Sequence, residues 1–191
     1  MEKKIKDILI YGKGFCGTSR GKNWKTFKKF SYDIAPFWIG DTLPPKKIIV
    51  KKCGVNCAGL INLLRRYAGL PVSVVLEKQH GYAGTAEWFN YLTKKKRLKK
   101  FDINKSYPAG TMLLRNFNLI DSGHVGVIFK EDKKGVLFSS LLHSVGWDDG
   151  GRQIVKIDST VGKSYFHAYN DTTNIGHYTH ICMPQDWLCK I

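Results

Sequence analysis

A helix that is apolar on nearly every side is predicted between residues 57 and 68. Asn56 is a suitable N-cap, Gly69 suits the left-handed residue that follows a helix, and Pro71 prevents continuation. A helix without a polar face is stable in a soluble protein only inside the core. The remaining elements must therefore cover this helix. Its apolar residues are Ala58, Leu60, Ile61, Leu63, Leu64, Tyr67 and Ala68.

Cys57 stands at the first position of the predicted helix. Unpaired backbone N–H groups and the positive end of the helix dipole favour the thiolate at that position. These effects predict a thiol pKa below the ordinary value of about 8.5, so Cys57 is a candidate nucleophile. Free cysteine is also among the residues most often buried in proteins, and an inert core thiol is the alternative interpretation.

The chain of 191 residues has the length of one domain, which we place at residues 1–191. Hydrophobic residues make up 43% of it, which is typical of a globular protein, and we predict no membrane-spanning segment. The apolar stretch 8–11 near the N-terminus is too short for a signal peptide. We therefore expect a cytoplasmic protein, with association with a virion as an alternative.

The five cysteines are an odd number and have no paired spacing, which argues against a disulfide framework and favours a reducing compartment. Cys53 and Cys57 are four residues apart, and no C-x-x-C or H-x-x-x-H pattern completes a zinc site. The sequence therefore predicts no metal and no cofactor.

Thirty-one basic residues against fifteen acidic ones give a net charge of +16, which attracts anionic partners. Nucleic acid, other anionic polymers, acidic lipids and acidic proteins all fit this charge. Basic residues are concentrated in segments 46–52 and 94–100. Segment 94–100 is interpreted either as a phosphate-binding or nuclear-localisation patch or as a solvated helix end. For duplex DNA we expect weak binding without sequence preference.

The N-terminal half of the chain contains helical patterns. Residues 5–11 are compatible with a strand, residues 23–35 predict an amphipathic helix, and residues 85–92 predict a second short helix. Residues 12–17 match the G-x-G-x-x-G dinucleotide fingerprint. The sequence that follows lacks the alternating strands and helices which that fingerprint requires, so we interpret these glycines as a flexible turn.

Beyond Tyr107 the pattern changes to short strands separated by Gly, Asp, Asn and Lys clusters, as in an antiparallel meander. Helices followed by strands predict an α+β fold. The predicted strands are Thr111–Arg115, His124–Lys130, Val136–His143, Ile154–Ile157, Ser164–Tyr169 and His177–Met183.

Two of the six histidines stand on neighbouring predicted strands that a short connection joins. If the turn centres between Lys133 and Lys134, His124 lies directly opposite His143. Their Cβ atoms would then be about 4.5–5.5 Å apart. A cysteine nucleophile needs a general base, and the base needs a partner that fixes its orientation. Cys57, His124 and His143 can supply these three roles in that order.

Five segments of the chain resemble motifs of the NlpC/P60 family of papain-like cysteine peptidases, and the resemblance covers roughly residues 30–145. Asn56–Leu60 is similar to the family's Asp-Cys-Ser-Gly-Leu, and Ser122–Ile128 is similar to its Gly-His-Val-Gly-Ile-Tyr strand. The third polar residue of the family falls at His143. The other similar segments are Pro36–Gly40 and Tyr107–Leu113.

The chain also differs from this family at the motif positions. Phe37 replaces a tyrosine whose hydroxyl can support the oxyanion site, so an oxyanion hole would depend on the Cys57 backbone N–H and another donor. Asn56 replaces an acidic residue that helps to receive a free amine, and Ala58 replaces a serine. These differences argue against bacterial wall peptide as the substrate.

The resemblance implies a papain-like α+β fold and a thiol hydrolase, a cysteine peptidase or amidase that acts on a peptide or other acyl substrate. Cys57 would attack a carbonyl, His124 would carry the proton, His143 would orient His124, and water would resolve the acyl-enzyme. Ester or thioester hydrolysis and acyl transfer remain alternatives. So does a catalytically weak or inactive binding module whose basic surface holds nucleic acid or a virion component.

Overall fold

The computed structural model describes residues 2–14, 57–75, 84–102, 104–115, 123–135, 139–144, 152–156 and 178–189, together with residues 43, 45 and 47. In these ranges helices pack on an antiparallel sheet, as expected for an α+β fold. The helices are α1 (Glu2–Lys13), α2 (Cys57–Tyr67), α3 (Thr85–Lys94) and α4 (Pro184–Trp187), and a 3₁₀ turn spans Ser73–Val75. The strands are β1 (Lys99–Lys100), β2 (Met112–Arg115), β3 (His124–Lys130), β4 (Ser140–Ser144), β5 (Arg152–Lys156) and β6 (His180–Cys182).

The N-terminal segment forms helix α1, so the strand predicted for residues 5–11 is wrong. A short apolar run is compatible with a strand or a helix, and the spacing of buried residues distinguishes the two. Ile5 packs against the core and Ile8 and Leu9 are buried, whereas Ile10 is exposed. This spacing of three and four residues is the helical one.

Gly12 belongs to helix α1, so it is not part of a flexible turn. A Cβ atom at this position would lie 2.7 Å from side-chain atoms of both Leu64 and Leu142. The missing side chain therefore lets α1 approach α2 and the sheet closely. Gly14 lies in the turn after α1, and Gly17 lies outside the described residues.

Helix α2 confirms the predicted central helix. Every residue from Ala58 to Arg66 is buried, including the polar ones. The helix ends as its sequence indicates, because Gly69 has a φ of +76° and its N–H donates to the carbonyl of Arg66 at 2.7 Å. Asn56, the predicted N-cap, lies outside the described residues.

Arg65 lies inside the core although it carries a charge. Its Nε donates to the carbonyl of Pro71 at 2.8 Å, and Nη1 donates to the carbonyl of Trp187. The guanidinium also lies 5.8 Å from the ring centroid of Trp88. Arg65 thus joins the end of α2, helix α3 and helix α4 around one buried group.

Helix α3 confirms the helix predicted for residues 85–92. Its first turn is capped by Glu87, whose Oε2 accepts a hydrogen bond from the Gly84 N–H at 3.0 Å. Trp88 is completely buried, and its Nε1 donates to Oδ1 of Asn62 on α2 at 2.8 Å. These contacts fix the start of α3 beside α2.

The six strands lie in the order β1-β6-β2-β3-β4-β5, and every neighbouring pair is antiparallel. The predicted meander is confirmed from β2 to β5. Strand β6 departs from it, because it returns to the opposite edge and pairs with β2 and β1. The strand predicted at Ser164–Tyr169 lies outside the described residues.

The two faces of the sheet meet different parts of the core. Met112, Leu114, Val125 and Val127 pack with the buried residues of α2 and α3. The residues between them in sequence point the other way and form a second cluster on the opposite face. That cluster contains Tyr107, Leu113, Ile128, Leu141, Tyr178 and Ile181.

Other predictions fall on residues that the structure does not describe. They include the helix at 23–35, segment Pro36–Gly40 with Phe37, and most of the basic segment 46–52. In segment 94–100 the lysines are exposed, and they lie at the end of α3, in the following turn and on β1.

Candidate functional site

Cys57 is the first residue of α2, and its side chain is half-buried where α2 meets α3 and β3. Its Sγ lies 3.7 Å from Oγ1 of Thr85, the first residue of α3. Backbone groups of Ala58, Val125 and Cys57 itself also hydrogen-bond the sulfur. The thiol is therefore held by the starts of two helices and by the second residue of β3.

The thiol pKa departs from its usual value in the direction opposite to the predicted one. Burial raises the pKa of Cys57, because the charged form loses its hydration. The hydrogen bonds from Thr85 and from the backbone lower it, but by less than the burial raises it. Cys57 therefore rests as a neutral thiol at pH 7, and the expectation of a lowered pKa is wrong.

His124 begins β3 and is only 1% exposed. Its imidazole stacks on Tyr178, with 5.9 Å between the ring centroids. Burial, together with the positive charge of Arg115, lowers the pKa of His124 to about 3. Arg115 stands directly opposite His124 in the β2–β3 ladder. The imidazole is therefore neutral at physiological pH.

The predicted register between β3 and β4 is wrong by two residues. His143 pairs with Gly126 instead of His124, Val127 pairs with Leu142, and Ile128 pairs with Leu141. The ladder is irregular between Ile128 and Lys130, where Lys130 pairs with Ser140, so the pairing is not centred between Lys133 and Lys134 as assumed from the sequence. A shift of two keeps the side-chain alternation. Positions 124 and 143 therefore share one face as diagonal neighbours about 7–8 Å apart.

Positions 124 and 143 lie on the face of the sheet that is turned away from helix α2. Val125 and Val127 pack with the α2 residues, so strand alternation turns His124 towards the second cluster, where Tyr178 lies. The structure thus brings Cys57 to the backbone of β3 and brings positions 124 and 143 onto one face, but the His124 imidazole lies on the opposite face of the sheet from the Cys57 thiol. It shows the Cys57 thiol hydrogen-bonded to Thr85 and to the backbone of Val125.

His180 is the histidine of the described strands that lies on the α2 side of the sheet. It pairs with Leu114, which in turn pairs with Val125, so the three residues form one row across the sheet. Its ring contacts Phe89 edge-to-face at 4.9 Å, and Nδ1 lies 2.8 Å from Oγ1 of Thr179. Two strand spacings separate His180 from Val125, which is about 9–10 Å.

Sequence reasoning missed Thr85 and His180. Thr85 was predicted only as the start of a helix, and nothing in the sequence indicates that two helix starts meet at one sulfur. The alternation of β6 could have placed His180 on the face of Leu114 if the pairing of β6 with β2 had been known.

A neutral thiol among backbone donors, beside the start of a strand that carries a neutral imidazole, can support attack on a carbonyl carbon if the thiol proton is removed during attack.

Within the described part of the chain, no group of three His, Cys, Asp or Glu side chains is arranged to hold a metal ion. None of the described helices combines the length and apolar character needed to cross a membrane.

The chain matches no protein-family model, no curated protein and no solved structure.

Proposed function

We propose that this chain is a thiol-dependent acyl hydrolase with a papain-like arrangement of the NlpC/P60 type, in which Cys57 is the nucleophile. One observation carries the proposal: the sulfur of a helix-start cysteine hydrogen-bonds the backbone of Val125, the residue that follows His124. In papain-like chemistry the nucleophile and the base come from such a helix start and a neighbouring strand.

The protonation states at rest define how the proposed reaction begins. Burial keeps the Cys57 thiol and the His124 imidazole neutral, so the pair starts without an ion pair.

The proposed base is His124. Its resting imidazole stacks on Tyr178, on the face of the sheet opposite α2, and His143, two residues along the ladder on that face, orients it there. The reaction therefore requires the start of β3 to rearrange so that the imidazole reaches the sulfur. His124 then takes the thiol proton as sulfur attacks the carbonyl carbon, and it returns that proton to the leaving group. Water, deprotonated by the same imidazole, releases the acid from the acyl-enzyme, and the imidazolium returns its proton to the sulfur.

The donors around the sulfur fit the charge that develops on the carbonyl oxygen. The backbone N–H groups of Cys57 and Val125 border the thiol, and the Thr85 hydroxyl lies 3.7 Å from it. Such donors stabilise an oxyanion in acyl transfer. We assign Thr85 as the side-chain donor that compensates for the tyrosine replaced by Phe37.

We expect p-nitrophenyl acetate to acetylate Cys57 and then to turn over. Replacement of Cys57 by alanine should abolish the acetyl adduct, and His124→Ala should lower the acylation rate by about 100-fold or more, because a positioned base contributes at least that factor. His180→Ala is the matched control and should change the rate by less than about threefold. The release of p-nitrophenol and mass spectrometry of the intact chain provide the two measurements.

The opposite ranking of the histidine variants would reassign the base. Loss of acylation in His180→Ala with retention in His124→Ala would place the proton acceptor on the α2 face of the sheet. An acetyl adduct on Cys189 instead of Cys57 would remove the nucleophile assignment.

The pH dependence of alkylation tests the resting thiol. Because burial raises the Cys57 pKa, the thiolate fraction should grow about tenfold per pH unit from pH 7 to pH 9, and the iodoacetamide rate at Cys57 should grow with it. Thr85→Val removes a hydrogen bond that favours the thiolate and should slow alkylation by about threefold to tenfold. Thr93→Val, on the exposed side of α3, is the control. A rate that is flat over this pH range would show that the thiolate is already formed at pH 7.

A non-catalytic binding module is the second candidate, and the neutral resting thiol favours it together with the net charge of +16. The acetylation experiment separates the two. Two results together would support the binding module. The original chain would form no acetyl adduct, and at about 200 mM salt it would bind duplex DNA as tightly as the Cys57→Ala variant does.

A further inference from the structure

A cleft opens between α1, the end of β3 and the start of α4, and Cys57 is not part of it. Its volume is about 460 Å³, which lies within the range of small-molecule sites in proteins. The lining is mainly apolar and comes from four separate parts of the chain. The apolar residues that matter here are Ile5, Leu9, Ile10, Ala109, Phe129 and Pro184.

Gly110 follows the cleft-lining residue Ala109 and is held by two hydrogen bonds. The Gly110 N–H donates to the carbonyl of Ile128 at 2.8 Å, and the Gly110 carbonyl accepts from Nε1 of Trp187 at 2.9 Å. Gly110 has a φ of +89°, and a Cβ atom there would lie 2.8 Å from Cγ2 of Ile5 and 3.4 Å from Pro184. The missing side chain of Gly110 therefore lets Ile5 and Pro184, which both line the cleft, pack closely against this part of the backbone.

The rim of the cleft is positively charged. Lys6 and Lys130 line it together with the carboxylate of Glu131. Lys13 adds a third cation, because its Nζ lies 5.9 Å from the centroid of the Phe129 ring. Lys6, Lys13 and Lys130 are exposed, so their charges are available to a ligand at the mouth of the cleft.

We propose that this cleft binds a monomeric long-chain carboxylate. The alkyl chain lies against the apolar residues of α1 and Phe129, and the carboxylate lies at the rim near Lys6 and Lys130. Covering the apolar lining with the alkyl chain removes apolar surface from water, which favours binding. The excess of cations at the rim selects an anionic head group over a neutral or cationic one. This site is separate from Cys57, and the proposal does not rest on the proposed hydrolase activity.

Binding of dodecanoate to the purified chain, measured by calorimetry below the concentration at which dodecanoate forms micelles, tests this site. Dodecanol and dodecyltrimethylammonium carry the same alkyl chain with a neutral and a cationic head. Dodecanoate should bind at least about tenfold more tightly than the ammonium compound, because the charge interaction changes from attractive to repulsive.

Two variants separate binding in the cleft from binding elsewhere on a basic protein. Ile10→Asp places a charge on the apolar wall and Lys130→Glu reverses a rim charge, and each should weaken dodecanoate binding by about tenfold. Val74→Asp and Lys134→Glu make the same changes outside the cleft and should alter affinity by less than about twofold. Ile10 is 52% exposed and Val74 is 37% exposed, so both aspartates are compatible with folding, which circular dichroism checks.

The proposal is overturned if Ile10→Asp and Lys130→Glu bind dodecanoate as tightly as the unchanged chain. It is equally overturned if the ammonium compound binds as well as dodecanoate. Binding that is seen only with dodecanoate-containing vesicles would assign the surface to a membrane instead of a monomeric ligand.

Discussion

Replacement of Arg65 by methionine is expected to lower the free energy of unfolding by about 3–5 kcal/mol. The guanidinium donates to the carbonyl of Trp187 inside the core and to the partly buried carbonyl of Pro71 at its edge. Methionine fills much of the same volume but donates no hydrogen bond, so one buried and one partly buried carbonyl group lose their partner. Each such loss costs about 1–3 kcal/mol. The contact with the Trp88 ring is lost in addition.

Urea unfolding of the full chain measures this effect as a lower midpoint with an unchanged slope. Lys95→Met makes the same change on the exposed turn after α3 and should stay within about 0.5 kcal/mol of the original chain. An Arg65→Met chain that is as stable as Lys95→Met would show that the desolvation of the guanidinium offsets its hydrogen bonds.

The parts of the fold that sequence reasoning predicted correctly are those whose local pattern has only one interpretation. Helix α2 has apolar residues on nearly every side and ends just before Gly69, and β3 begins at His124 as predicted. Helix α1 was predicted wrongly, because Ile8–Tyr11 form a contiguous apolar run that also fits a strand. The tertiary contacts of Gly12 with α2 and the sheet decide in favour of the helix, and no local pattern reports them.

The sequence predicted which residue types form the candidate site, but it did not predict how they are arranged. The sequence identifies Cys57 at a helix start, but the sign of its pKa shift depends on burial among α2, α3 and β3. Local reasoning includes the helix dipole and omits desolvation, and desolvation is the larger effect here. The register of His143 was missed by two residues because it depends on where the pairing of β3 with β4 is centred and on the irregular ladder. The role of Thr85 depends on the packing of α3 against α2, which one sequence does not specify.

Replacement of His124 by glutamine is expected to make the chain less sensitive to acid. The folded chain holds the pKa of His124 at about 3, whereas the unfolded chain titrates near 6.5. Between these two values the unfolded state binds a proton that the folded state does not bind. The contribution of neutral His124 to stability is therefore complete above about pH 6.5 and is lost as the pH falls towards 3.

Integrated over this interval, the difference in the free energy of unfolding between the original chain and His124→Gln reaches about 5 kcal/mol at most. Below pH 6.5 the free energy of unfolding should therefore fall less steeply with decreasing pH in the variant than in the original chain. Urea unfolding at several pH values between 4 and 7 measures both slopes. His180→Gln is the matched control. Burial and Lys100 also lower the pKa of His180, but this side chain is partly exposed. The dependence of the unfolding free energy on pH should therefore change much less in His180→Gln than in His124→Gln. Parallel curves for the original chain and His124→Gln would mean that the imidazole beside Arg115 and Tyr178 accepts its proton without opening the fold. In that case the pKa of His124 in the folded chain would lie near its ordinary value of 6.5, and the imidazole would be protonated only below that pH.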